Sequence, residues 1–265
     1  MFRAVLVAAV LNTAAGAAVL GPLATQATGK WVVNFADSQC IASRTYDVGG
    51  QEWIIGIEPM PTSTNFLVHI LVPKGAPQMR NARLATGNMR ISAAGMFLKG
   101  ANPHSGRHYA VRLDVAEYDR LRASGLLSVT NGGQTVEFRL SNVDALQRQL
   151  NVCMADLLVK WGVSLEQQAQ LASYPVPLRE HYASHNDYPS SALDRWASGK
   201  ATVRVRVGLD GRATNCIVEQ SSGHKDLDAQ TCNVYVKRAR YRPARDKAGR
   251  PVEAPYVVSL EWWTA

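Results

Sequence analysis

The chain has 265 residues, 46% of them hydrophobic and 19% charged, with a formal net charge of +8 at pH 7. That balance excludes a disordered polar chain and a fibrous repeat, and it suits one or two globular domains with sizeable cores.

In chain order, Met1-Phe2-Arg3 supplies one positive charge, Ala4 to Leu11 is apolar, and small residues continue to a cleavage-like Thr25-Gln26-Ala27. Residues 1–27 therefore read as a secretory signal peptide, which places the mature chain in the periplasm. The rival reading is an uncleaved inner-membrane anchor over residues 4–23, close to the roughly 20 residues a span needs. Asn12, Thr13 and Pro22 count against it, and no later segment is apolar enough to cross a bilayer.

From Lys30 to Ser141 the pattern is that of strands. WVVNF, CIASRTY, EWIIGIE, NFLVHILV, HYAVRLDV and TVEFRLS are short apolar or alternating runs divided by Gly, Pro, Asn and Asp. A short helix, VAEYDRLRAS, interrupts them. A longer helix is expected from Asn142 to Trp161, because Val143, Leu146, Leu150, Cys153, Leu157 and Trp161 recur at spacings of three and four. Ser141 or Asn142 is its expected cap. Residues 28–161 thus form a β-rich domain closed by a helix. Residues 162–187 include Pro175 and Pro177, lack periodicity and read as a linker.

The last domain, 188–265, is the most legible. Val203, Val205 and Val207 alternate with Arg204 and Arg206, Asp210-Gly211 supplies a turn, and Cys216 and Val218 return, which is a hairpin with one apolar face. Ser222 is the expected cap of a helix running to about Arg240, with Asp226 and Asp228 near its positive end. Pro243 closes that helix, and a final strand comes after it over Pro255 to Trp263.

An exported chain with four cysteines is most simply read as carrying two disulfides. Three connectivities exist, and pairing within each domain, Cys40 with Cys153 and Cys216 with Cys232, is the economical one. A zinc site is the alternative, but no Cys-x-x-Cys or Cys-x-x-His occurs. Bracketing so small a unit with Cys216 and Cys232 compensates for its limited apolar core.

The stretch YPSSALDRWASGKATVRVRVGLDGRATNCIVEQSSGHKDLD, then a helix, then ARYRPARDKAGRPVEAPYVVSLEW, resembles the C-terminal domain of TonB-family energy transducers. The resemblance rests on the Tyr-Pro opening, the Gly before the first strand, Asp-Gly, Ser-Ser-Gly, Leu-Asp, Arg-Pro-Ala and Gly-x-Pro, and covers Tyr188 to Trp263. It implies an α+β fold whose last module is a three-stranded antiparallel sheet with a packed helix. It also implies a role in TonB-dependent transport, in which an extended segment of an outer-membrane receptor adds a strand beside the module's last strand. The matching residues here are Val257, Val258, Ser259, Leu260, Glu261 and Trp262. The chemistry required is an exposed edge whose backbone groups accept another chain. The chain departs from the transducers in lacking a long Pro-rich arm. Its β-rich first domain is similar to the domain that precedes such modules in some exported bacterial proteins of unassigned role.

Between Lys237 and Arg250 seven cations meet one carboxylate. Most of this run is read as a solvated helix end. Arg242 and Arg245 are the candidates for steering an acidic peptide or an anionic envelope polymer toward the edge, and an exported chain makes nucleic acid a poor partner. Pairing of the edge with its own copy would give a homodimer. His104 with His108, and His181 with His185, have a helical ligand spacing but sit in loop-like sequence, so no metal is assigned. No Gly-x-Ser-x-Gly elbow, phosphate loop or carboxylate pair appears, so no catalytic residue and no cofactor is assigned, and the expectation is a binding protein rather than an enzyme.

Overall fold

The computed structural model describes residues 22–76, 79, 82–91, 96–102, 106–179 and 182–264. The signal-peptide and anchor readings fall almost wholly outside these residues, as do His104 and His181. Among the described residues no helix is long and apolar enough to cross a membrane.

The first half contains β1 (Leu23–Ala24), β2 (Gln26–Ala27), β3 (Val32–Phe35), β4 (Cys40–Val48), β5 (Gln51–Pro59) and β6 (Phe66–Val72). It continues with β7 (Arg83–Thr86), β8 (Met89–Ile91), β9 (Met96–Asn102) and β10 (Gly106–Leu113). Then come α1 (Val115–Ser124), β11 (Leu126–Asn131), β12 (Gln134–Arg139) and α2 (Val143–Lys160). Two sheets result. One has the order β2-β4-β5-β6-β10-β9 with β3 also on β4; the other runs β1-β12-β11-β7-β8. A single core takes Ile55, Ile57, Ile70, Leu84, Leu127 and Phe138 from these sheets together with the buried stripe of α2. The strand and helix patterns read from the sequence fall on β3 to β6, β10, β12, α1 and α2. Strands β7, β8, β9 and β11 do not stand out in it: β7 and β8 are only four and three residues long, and β9 (MFLKGAN) and β11 (LLSVTN) lack a clean apolar–polar alternation.

Helix α1 is fixed by a capping box, in which Glu117 N–H donates to Asp114 and Asp114 N–H to Glu117, and by Gly125 in the left-handed region. Helix α2 differs from expectation at its start. Asn142 has φ 63° and makes no side-chain cap bond, and Ser141 Oγ instead accepts from Arg44 Nη1 at 2.7 Å. The Cys153 face of α2 is bonded to the sheet through Cys40, with the two Cα atoms 5.9 Å apart.

The stretch 162–187, expected as a linker, is folded onto the last domain. It carries α3 (Leu165–Ala169), β13 (Leu171–Ser173) and β14 (Val176–Pro177). The remaining elements are α4 (Ser190–Leu193), β15 (Gly199–Val207), β16 (Ala213–Gln220), α5 (Lys225–Lys237), β17 (Tyr241–Arg242), β18 (Ala244–Asp246), β19 (Pro251–Val252) and β20 (Ala254–Trp262). Strand β13 pairs with β18, which pairs with β19, and β14 pairs with β17. The partners lie some 70 residues later in the chain, so no periodicity inside the stretch could reveal them.

The last sheet has the order β16-β15-β20, all antiparallel, with α5 over one face. Val203, Val205 and Val207 of β15 are almost fully buried and pack with Val234 and Tyr235 of α5. The hairpin turn is wider than the two-residue form expected. Gly208 N–H donates to Arg212 O at 2.9 Å, and of the Asp-Gly pair only Gly211 takes a positive φ, 73°. Gly211 is doubly required, since a Cβ there would lie 2.1 Å from Tyr241 O.

Candidate strand-docking edge

Strand β20 is the outer strand of the last sheet, and its register against β15 runs without a shift from Ala254↔Val207 to Trp262↔Gly199. Tyr256, Val258 and Leu260 join the core under α5. Since side chains and backbone groups both alternate along a strand, Pro255, Val257, Ser259 and Glu261 are the residues whose backbone polar groups point away from β15. This explains how β20 tolerates a proline: Pro255 lacks a donor only on the outer side, where the ladder needs none.

The six predicted contact residues therefore divide. Val258 and Leu260 direct their backbone inward to β15 and their side chains to the core. Trp262 is a structural residue, 4% exposed, whose Nε1–H donates to Thr231 Oγ1 at 2.8 Å and whose ring meets Tyr188 edge-on at 5.1 Å. Its neighbour Trp263, just past the end of β20, is 64% exposed, with its ring edge-on to His185 at 6.4 Å. Val257 is 6% exposed, its side chain packs into the first domain's core, and its N–H donates to Thr62 Oγ1 at 2.8 Å. Ser259 and Glu261 are exposed, and no described hydrogen bond uses their outward backbone groups. Ser259 Oγ meets Thr202 Oγ1 of β15 at 2.9 Å.

The helix and the far edge of the sheet are tied together. Cys216 of β16 is bonded to Cys232 of α5, with Cα atoms 5.6 Å apart. Ser222, expected as the helix cap, does something else. The N-cap position of α5 is His224, and the Asp228 carboxylate accepts from the Ser222 N–H and Oγ–H, each at 2.7 Å, and from the Ser221 hydroxyl. The carboxylate thus reaches back along the helix to hold the loop; the serines donate to it, while Ser221 Oγ accepts from Gly223 N–H at 3.0 Å and Ser222 Oγ from His224 N–H at 3.3 Å. Burial pushes the Asp228 pKa up, but the hydrogen bonds from Ser221 and Ser222 outweigh it and hold the carboxyl below its usual range. A pKa depressed on folding contributes stability that is present above the unfolded carboxyl value and lost as pH falls through the folded one. Thermal unfolding should accordingly show Asp228→Asn less stable than wild type at neutral pH, with the gap closing below about pH 4.

Arg242 and Arg245 do not share a sheet with β20. Arg242 lies on β17 opposite Val176, and Arg245 on β18, where its Nη1 donates to Gly249 O at 2.6 Å. Of the neighbouring cations, Arg238 pairs with Asp187 at 2.6 Å and Arg250 with Asp246 at 2.8 Å. A cleft of about 120 Å³ lies between Val163, Ser164 and Gln167 on one side and Arg204, Arg206 and Pro255 on the other, too small for a drug-sized ligand.

Sequence spacing also missed a buried polar chain in the first domain. His69, fully buried on β6, has Nε2 2.8 Å from Glu58 Oε2 and Nδ1 2.9 Å from His108 Nε2. Its three members come from three adjacent strands, and only Gly56 hints at it. That glycine lies opposite His69 in register, and an added Cβ would sit 3.1 Å from His69 Cβ. Among the described residues no group of three or more potential ligands is arranged to hold a metal.

A three-stranded antiparallel sheet, one helix across it and an outer last strand are the geometry that the sequence resemblance implied. Residues 184–263 match the family model of the Gram-negative bacterial TonB protein C-terminal. The matched stretch begins just before the 3-10 turn at His185–Asp187 and ends after β20. The match covers 80 residues at the C-terminal end of the 265-residue chain, and the first domain lies outside it. No curated protein matches the chain.

Proposed function

We propose that the chain is a periplasmic TonB-like protein that binds a partner by strand addition at β20, in connection with TonB-dependent outer-membrane transport. The observation that carries this reading is the outward pair of backbone sites at Ser259 and Glu261, on the outer strand of the matched module. An extended segment of an outer-membrane receptor, or of another envelope protein, would pair there through main-chain hydrogen bonds. Arg242 and Arg245 would act at longer range, raising the encounter rate of an acidic segment at low salt rather than touching it.

A second reading, an envelope interaction module without energy transduction, is favoured by one specific feature. Residues 171–177 are paired onto β17 and β18, so the chain between the two domains is a fitted strap and not an extended arm. Such a module would hold an anionic envelope polymer on its basic surface or pair with a second copy of itself.

The test compares Ser259→Pro with Ser259→Ala. Both lose the hydroxyl contact to Thr202, but only proline removes the outward N–H, and it leaves the β15 ladder intact. Envelope proteins captured by the mature chain should be recovered about tenfold less well by Ser259→Pro than by Ser259→Ala. Equal recovery of the same partner by both variants counts against strand addition.

A further inference from the structure

We infer that the first domain carries a latch on the docking edge, formed by Thr62 in the loop between β5 and β6, and that a partner strand must displace it to use the whole of β20. The inference rests on the strand-addition reading proposed for β20. Loop tips are normally the most exposed part of a hairpin. Thr62 is 3% exposed, because the last strand covers it. Its hydroxyl accepts the outward N–H of Val257, doing with a side chain what a neighbouring strand would do with a carbonyl. The Val257 donor is buried, so it needs a partner in every state in which the two domains stay in contact.

The backbone at Thr62 carries a second, independent sign. Its φ is 51°, in the left-handed region, where a β-branched residue is a true outlier. The loop is not otherwise built to demand threonine: Met60 N–H donates to Asn65 O at 2.9 Å, and Asn65 N–H to Ser63 Oγ at 3.1 Å, which close it without Thr62. Asparagine or glycine would relieve the strain. What threonine adds at this position is a hydroxyl aimed at the strand edge, with a methyl for the apolar seam. Strain of this kind is tolerated where the contact it makes has a use.

The latch divides the edge. Of its outward donors, Val257 is held by the first domain, while Ser259 and Glu261 are left for an incoming chain. A partner strand can therefore nucleate at the C-terminal end of β20. To extend past Val257 it must move the loop aside by about one inter-strand spacing, roughly 4.8 Å. The first domain thereby sets how much of the edge is offered.

The test is residue-resolved amide exchange on the whole mature chain, comparing wild type with Thr62→Gly and Thr62→Ser. Thr62→Gly removes the hydroxyl and suits the left-handed backbone, so exchange at Val257 should rise about tenfold or more while Val205 in the central strand stays protected. Thr62→Ser keeps the hydroxyl and should keep Val257 protected. Unchanged protection at Val257 in Thr62→Gly overturns the latch, and so does loss of protection in both variants. In a parallel capture of envelope proteins, Thr62→Gly should recover severalfold more of the partner that Ser259→Ala recovers. Unchanged recovery despite a freed Val257 overturns the gating. If neither variant recovers a partner, the strand-addition reading fails and the exchange result still decides the latch.

Discussion

Replacing Cys40 and Cys153 together with alanine is expected to lower the stability of the first domain by about 4–5 kcal/mol. The bridge spans 113 residues of sequence and ties the buried face of α2 to β4, so removing it returns the entropy of a very long loop to the unfolded chain. Both cysteines are buried within the same core, which makes alanine the fairer substitute: serine would add an unsatisfied hydroxyl. The shorter Cys216–Cys232 loop, 16 residues, should be worth about 3 kcal/mol by the same argument. Urea unfolding of the two double variants checks both the sizes and their order. A loss below about 1 kcal/mol for the first would show that α2 is held by packing alone.

Trp262→Ala is the second large effect, about 3–5 kcal/mol, because it empties a buried site and takes away the indole donor to Thr231 Oγ1, leaving that hydroxyl only its bond to Leu227 O. Ala192, Ala197 and Leu227 form the small cluster around the indole, and small residues have little freedom to collapse into the space it leaves. Trp263→Ala, one residue on and 64% exposed, should change stability by less than about 0.5 kcal/mol. A thermal shift of similar size for the two variants would contradict the assignment of the strand's faces.

Much of the architecture is legible in the residues alone. The two bridges come from the reading of export and from economy, and the α2 stripe from its period. What escapes the sequence is contact between distant segments. The strap of β13 and β14 reads as irregular because its partners are supplied by β17 and β18. The Glu58–His69–His108 chain assembles only once β5, β6 and β10 are side by side. The role of Asp228 is inverted: a Ser-Ser-Gly before a helix reads as a cap, and here the helix carboxylate fastens the serines. Thr62 is invisible for the same reason, being one hydroxyl in a loop, given meaning by a strand 195 residues away.

A free outer strand is a hazard as well as a docking site, since it pairs with any chain that meets it. Pro255 removes one outward donor and Thr62 occupies another, which leaves a short stretch at the C-terminal end of β20. An edge restricted in this way can select a partner that presents a short extended segment.

Whether β20 docks a partner strand in living cells is decided by a photoreactive residue placed at Glu261, with a second variant carrying it at Ile217 on the opposite edge strand β16. Adducts to an envelope protein are expected from Glu261, mapping to an extended segment of that protein, and none to it from Ile217. Adducts from Ile217 or from a probe at Arg242, with none from Glu261, would contradict docking at this edge.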